Sequence, residues 1–351
     1  MTLDNKGALG INNIFKKTKS FIGLDIGAAS IKLVRILQEK NSEKYKLTDF
    51  GFCTLADDNP ENIKKALQDL VKDNKIPAGS EVVVNIPNNS AINRYVLMPK
   101  MNNEELRKAV GFELEKYIAF DAKDAVYDFN VLDEGKTKEG HYKILLVITK
   151  KETVNERAKL VEESGLVPKI ITIDSVVIKN TFYLNYPEKK DKNVAIVDLG
   201  NKLCSITVVR NFVSNLMRDI PIGTDNIVTL AKEKLDIGRK QALDLIEKPE
   251  SQTKEFKDLA NSVMANLLNE LYLSFDYYET QFESGIEEIF VTGGFSRLSG
   301  INEFLSKNLG IPTSSFNTLA NIDITQDLQQ KIKPFADIMA VSIGLALEDT
   351  S

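Results

Sequence analysis

Two short stretches of the chain pair an acidic side chain with a glycine in the same way. Phe21-Ile-Gly-Leu-Asp25-Ile-Gly27 is an apolar run with an aspartate near its end and a glycine two residues on, and Ala195-Ile-Val-Asp198-Leu-Gly200 repeats the design. Asp198 follows Asp25, and Gly200 follows Gly27, by 173 residues. Each copy continues into a small or polar turn (Ala28-Ala29-Ser30; Asn201-Lys202) and a run rich in β-branched residues, Ile31 to Ile36 and Ser205 to Val209. The spacing predicts a β-hairpin with a glycine-dependent turn, used twice in equivalent places. Two such hairpins facing each other make a phosphate clamp. Turn N–H groups bind phosphate oxygens, while Asp25 and Asp198 hold a hydrated Mg²⁺ that offsets the charge. Gly27 and Gly200 let backbone approach phosphate with no Cβ in the way, and Lys32 reaches it as a point charge. A third element, Ile289-Phe-Val-Thr-Gly293-Gly294, is a strand opening on a glycine pair at a helix entry, where a flat ring or an α-phosphate can lie against backbone. One Asp-x-Gly alone is ordinary turn grammar; its recurrence makes it a candidate site.

Composition bounds the alternatives. The chain has 351 residues, 43% hydrophobic and 27% charged, which predicts two or three domains and excludes a disordered chain. A formal net charge of −5 excludes a globally basic nucleic-acid binder. Cys53 and Cys204 form no Cys-x-x-Cys pair, so neither a disulfide framework nor a zinc ribbon is written here, and they read as reduced thiols of a cytosolic protein. The single histidine, His141, lies in a polar stretch and argues against histidine-dependent catalysis. No run approaches the roughly 18–20 apolar residues of a membrane span. Residues 1–19 lack the apolar core and cleavage site of a signal peptide; they read as a frayed leader, with a short amphipathic helix carrying Ile11, Ile14, Phe15, Lys16, Lys17 and Lys19 as the alternative.

The elements that must position these residues follow from pattern. Asn185 to Asn193 is polar and contains Pro187, a boundary between two homologous lobes. Within the first lobe, a strand at Ala91 to Met98, a helix opened by Asn102 and Glu105, and strands at Val126 to Leu132 and Tyr142 to Thr149 joined by DEGKTKEG read as an inserted module, 91–149. Its alternative is a continuation of the first lobe's sheet. A helix from Val154 to Gly165 feeds a strand at Ile170 to Ile173. The second lobe carries helices at Asp225 to Leu235, Arg239 to Ile246 and Lys257 to Glu283, the last with Leu267, Leu271, Phe275, Tyr278 and Phe282 as a core stripe. Phe335 to Leu347 reads as a buried apolar helix.

In order, Gly23-Leu-Asp-Ile-Gly, Val197-Asp-Leu-Gly and Val291-Thr-Gly-Gly resemble the two phosphate motifs and the adenosine motif of the actin-like ATPase superfamily. The stretches Arg94 to Glu134, Asn269 to Glu279 and Ala340 to Glu348 narrow the resemblance to the PilM family, actin-like proteins of type IV pilus assembly, over about residues 20 to 348. The resemblance implies an α/β fold of two actin-like lobes (duplicated ribonuclease H-like lobes) similar to the cell-division protein FtsA, with the strand-helix-strand-strand module in place of the usual actin insertion. It implies a first lobe over 1–192, a second over 193–334 with a helical subdomain at 225–285, and a C-terminal helix, 335–351, returning to the first lobe. It also implies ATP and Mg²⁺ in the cleft, and as partner the N-terminal cytoplasmic tail of the inner-membrane protein PilN, in a groove walled by about 85–95 and 112–120. PilO would share that complex, with pilus ATPases and the platform protein as further candidate partners, self-association open, and membrane contact indirect.

Carried over residue by residue, Asp25, Gly27, Ser30 and Lys32 match the first phosphate motif and Asp198 and Gly200 the second, with Ala28 and Asn201 of the turns as further expected cofactor contacts. Gly293 and Gly294 match the adenosine motif, with Phe295 beside them as a further expected cofactor contact, and Lys232 with Glu233 resemble the pair flanking the adenine. The chain departs from the pattern with Asn201, Lys202 and Cys204 where a small residue and a threonine or serine are usual, and with Phe295 after the glycine pair. Lys202 either strengthens phosphate binding or is solvated; Phe295 either stacks on adenine or crowds it. Asp174 in TIDSVVI matches the residue that positions water, and as a short carboxylate it implies a slow or absent ATPase in which nucleotide sets lobe closure. The other readings of the resemblance are an FtsA-like filament protein and a small-molecule kinase of the same superfamily. The first would need a basic amphipathic C-terminal helix, the second a further catalytic carboxylate and larger insertions.

Overall fold

The computed structural model describes residues 19–38, 44–133 and 140–348. The alternative amphipathic leader helix (Ile11 to Lys17) and most of the DEGKTKEG turn lie outside the described residues. Among the described residues, fourteen strands form three sheets. β1 (Lys19–Ile26), β2 (Ser30–Gln38) and β3 (Tyr45–Thr54) make an antiparallel meander, beside which β4 (Glu81–Ile86) and β8 (Val167–Ile173) lie parallel. β9 (Val194–Leu199), β10 (Cys204–Arg210) and β11 (Val213–Ile220) make the second meander, flanked by parallel β12 (Glu288–Thr292) and β13 (Thr313–Ser315). The strand orders β3-β2-β1-β4-β8 and β11-β10-β9-β12-β13 are therefore the same five-strand design; the first sheet adds a two-residue edge strand, β14 (Asp323–Ile324). The repeat in sequence is a repeat in topology.

β1 and β9 sit inside these sheets and are covered on both faces, which is why they read as apolar runs without alternation. One face of the first sheet is covered by α1 (Pro60–Asp73) and α3 (Lys151–Glu162), through Leu67, Leu70, Val71 and Val161. One face of the second is covered by α5 (Thr224–Leu235), α6 (Arg239–Glu247), α7 (Lys254–Phe282) and α8 (Ile301–Leu309). Between the sheets run α4 (Asp174–Asn185) and α10 (Ala340–Glu348). α4 packs Ile178 and Phe182 on the second sheet; α10 packs Ile343 and Leu347 on the first. The stripe foreseen on α7 is buried at Leu267, Leu271, Phe275 and Tyr278.

The inserted module is a sheet of its own. β5 (Ala91–Pro99), β7 (His141–Lys150) and β6 (Ala125–Asp133) pair antiparallel in that order, and α2 (Asn103–Glu113) covers one face through Leu106 and Val110. α2 starts where Asn102 and Glu105 close a reciprocal capping box, each side chain accepting from the other's backbone N–H at 2.9 and 3.1 Å.

One expectation is corrected at the C-terminal end. The single helix read from Phe335 to Leu347 is a 3₁₀ segment, Lys333–Ile338, followed by α10. The Asp337 carbonyl accepts from the Gly293 N–H (3.1 Å) and the Thr292 hydroxyl (2.6 Å), while the Asp337 carboxylate takes Arg297 Nε at 2.8 Å. Those bonds pin the segment in a tighter coil, and helical pattern alone does not reveal them. The seven-residue α9 (Gln326–Ile332) precedes it.

Candidate functional site

The two hairpins have matching geometry. Gly27 N–H donates to the Ser30 carbonyl at 3.0 Å, and Gly200 N–H donates to the Leu203 carbonyl at 2.9 Å. Asp25 stands opposite Lys32 in the first ladder and Asp198 opposite Ser205 in the second. Both turns open on one cleft of about 570 Å³ between the sheets, within the range of small-molecule sites. Asp25, Gly27, Ala28, Ser30, Lys32, Asp174, Asp198, Gly200, Asn201, Gly293 and Gly294 all line it. Gly293 has φ +90°, and a Cβ there would collide with the Asp198 carboxylate and the Leu199 carbonyl, so the glycine brings the end of β12 against the second hairpin.

Carboxylates converge on the cleft floor. Asp25 is buried and accepts from Lys32 Nζ at 2.8 Å and from Asn85 Nδ2 at 3.0 Å. The same Asn85 amide reaches Asp174 Oδ1 at 2.7 Å, and Asn85 Oδ1 accepts from the Ile26 N–H at 2.8 Å, so one residue of β4 sets the spacing of two acidic groups. Burial, reinforced by repulsion from Asp25, holds the Asp174 carboxyl well above the usual range, against the bond from Asn85. Burial pushes Asp198 up to about 6, with Lys32 opposing. For Lys32, burial works against the charge, but Asp25, Asp198 and Asp174 outweigh it and hold the ammonium above its ordinary value. Close acidic groups raised in this way suit a cation arriving between them.

A second polar cluster crosses between the sheets. Asn88, in the turn after β4, reaches Ser175 Oγ of α4 at 3.0 Å and Ser205 Oγ of β10 at 2.9 Å, and accepts from the Ser175 N–H at 3.3 Å. Ser205 Oγ in turn donates to Asp219 Oδ1 of β11 at 2.6 Å. Asn88→Ala removes a buried amide and strands its partners, so it is expected to lower unfolding free energy by about 1–3 kcal/mol in denaturant titration; an unchanged midpoint would mean the cluster does not tie the sheets together.

Three of the site residues read from sequence are not brought to the cleft. Phe295 is fully buried in the core of the second lobe: the 3₁₀ turn Gly294–Arg297 swings it inward, so it neither stacks in the cleft nor crowds it. Lys232 and Glu233 lie on the exposed side of α5, with Lys232 paired to Asp236 one turn on. The cleft wall there belongs instead to Arg239, Leu243, Ile246 and Glu247 of α6. Lys202 does line the cleft, where its ammonium meets Asp58 of the first lobe at 2.8 Å in an exposed pair of little energetic weight. Sequence reading missed Asn85, Asn88, Arg157, Arg239 and Arg297, all of which line the cleft. The one available signal was the polar Asn85 inside the apolar run Val82 to Ile86.

With this geometry in hand, comparison with known proteins gives the fold a name. The solved PilM–PilN type IV pilus biogenesis complex contains a chain 20% identical to this one that superposes with a TM-score of 0.84, covering 94% of this chain and 98% of that one. The ethanolamine utilization protein EutJ from Carboxydothermus hydrogenoformans matches at TM-score 0.54 and 14% identity, covering 94% and 89%. MreB 5 of Spiroplasma citri, solved bound to AMPPNP, matches at 0.51 and 12%, covering 95% and 96%. The fold is that of the actin-like ATPases. The family model described as type IV pilus assembly protein PilM matches residues 23–350, from the first hairpin to the end of α10 and beyond. On that match the chain belongs to the PilM family of type IV pilus assembly proteins.

Proposed function

We propose that the chain binds ATP with Mg²⁺ in the cleft between its two sheets, and binds the N-terminal cytoplasmic segment of the inner-membrane protein PilN beside the inserted module, serving as an adaptor of the pilus assembly complex. The observation that carries the nucleotide half is the pair of matching hairpins, with Asp25, Asp198 and Gly293–Gly294 all lining the one cleft they share. The donor set fits the metal. Asp25 and Asp198 are hard oxygen donors, as Mg²⁺ requires, and among the described residues no cluster of three or more His, Cys, Asp or Glu ligands offers an all-protein cage. Asp25 and Asp198 would hold the ion largely through water, and it would offset phosphate charge there. Asp25 and Asp198 would orient its water shell, Lys32 adds a positive charge beside Asp25, and Asp174, bonded by Asn85, would hold a water. The turn residues Ala28, Ser30 and Asn201 supply contacts along the phosphates.

The partner half draws on family membership and on surface chemistry. Phe112 of α2 is 88% exposed, and Leu97 of β5 is 57% exposed, large apolar side chains left uncovered on the module. An amphipathic or extended peptide that lays apolar side chains there is the fitting occupant. Among the described residues no helix is long and apolar enough to cross a membrane, so in this reading the partner supplies the anchor. Calorimetric titration with a synthetic N-terminal PilN peptide from the same genome, with and without Mg-ATP, tests the proposal. Saturable binding that Phe112→Ser weakens about tenfold or more is the expected result; no binding to the folded protein in either condition overturns the adaptor reading.

A further inference from the structure

Five cationic side chains among the described residues line the cleft, and four are committed to carboxylates. Lys32 holds Asp25 at 2.8 Å, Lys202 holds Asp58 at 2.8 Å, Arg239 holds Asp225 at 2.7 Å and Arg297 holds Asp337 at 2.8 Å. The fifth, Arg157, projects from α3 toward the cleft without an ion pair, and its Nη1 is sealed from solvent with no hydrogen-bond partner. Asp174 and Asp25 act on its charge through space, yet neither bonds it; both are held by Asn85, and Asp25 also by Lys32. Leu160, one turn along α3, and Ile63 of α1 are apolar neighbours in the lining and offer no acceptor.

A buried N–H of a charged group left unmet is costly, because desolvation is not repaid by a bond. What would satisfy it must come from the cleft, carry negative charge, and present oxygens that suit the planar fork of a guanidinium; phosphoryl oxygens meet all three requirements. The electrostatic neighbours also fix which end of a nucleotide is concerned. Asp25 stands on the first hairpin and Asp174 shares its Asn85 partner, so the guanidinium they act on is coupled to the hairpin side chains, where the nucleotide reading puts the phosphates. We infer that Arg157 reads the terminal phosphate of a nucleoside triphosphate and so sets a preference for triphosphate over diphosphate. This inference rests on the nucleotide reading of the cleft.

The test is calorimetric titration of the full chain in Mg²⁺ with ADP and with a non-hydrolysable β,γ-imido ATP analogue, for wild type, Arg157→Met and Arg157→Lys. The wild type is expected to prefer the triphosphate. Arg157→Met should lose about tenfold or more of triphosphate affinity, the scale of a bond to a charged group, and leave ADP affinity unchanged. Arg157→Lys, which keeps the charge but not the fork, should recover part of the loss, and it carries the test alone if the methionine variant does not fold. Equal losses for both nucleotides would assign Arg157 to cleft shape, and an unchanged ratio would remove its role; either overturns the inference while nucleotide binding stands. A folded wild type that binds neither nucleotide removes the nucleotide reading and this inference with it.

Discussion

Asp25→Asn is expected to abolish the Mg²⁺-dependent increment in ATP affinity and to destabilise the empty protein. The side chains of Asp25 and Lys32 are 6% and 12% exposed, and their 2.8 Å contact is the ion pair of the cleft floor. The asparagine keeps the shape but offers one acceptor oxygen where the aspartate offers two, Oδ1 to Asn85 and Oδ2 to Lys32, so the charge and one of these two bonds are lost. Removing one partner of a buried pair leaves the other ion uncompensated, which typically costs about 3–5 kcal/mol. A loss within that range is expected here, since the single amide oxygen can serve only one of the two donors, Lys32 or Asn85. Denaturant unfolding reads the first effect, and ATP titration with and without Mg²⁺ reads the second. Wild-type stability together with an intact Mg²⁺ increment would show that Asp25 neither compensates Lys32 nor meets the ion.

Gly344→Val should be the most damaging single change away from the cleft. A Cβ at Gly344 would run into the Val177 carbonyl of α4, and one at Gly23 into the Ser342 carbonyl of α10, so the two glycines let α10 lie backbone to backbone with α4 on one side and β1 on the other. Overfilling such a seam forces backbone shifts, and about 3 kcal/mol or more is expected. The effect should reach the cleft, because the 3₁₀ segment entering α10 holds Gly293, Thr292 and Arg297 through Asp337. Thermal unfolding should show the loss, and hydrogen exchange should rise over 289–297. A melting temperature equal to wild type would mean that α4 and α10 can separate freely.

What could be read from sequence, and what could not, follows from how each feature is encoded. The hairpins at Asp25 and Asp198 were legible because the same strand, aspartate, turn glycine and second strand occur twice, and the structure gives both copies the same strand order. The module was legible because period-two strands flank a capped helix; the Asn102 and Glu105 box is formed as read. Asn85, Asn88 and Arg157 were opaque for a different reason. Their partners lie 59 to 131 positions away in the chain or are absent from it, so no local pattern announces them. Phe295 was misread because a residue after a glycine pair looks exposed, while the 3₁₀ turn carries it into the core. Lys232 and Glu233 were misread because α5 turns that face to solvent, and α6 supplies the wall in its place. Local grammar thus records the elements and the repeated motif, whereas side chains recruited from distant elements emerge only when the sheets come together.

The most direct test of the central claim is a crystal structure of the full chain grown with Mg²⁺ and a non-hydrolysable ATP analogue. The account predicts the triphosphate between the Gly27 and Gly200 turns, Mg²⁺ bridged by water to Asp25 and Asp198, and the adenosine against Gly293 and Gly294. A nucleotide seated elsewhere on the protein, or a cleft left empty at saturating analogue, would contradict it.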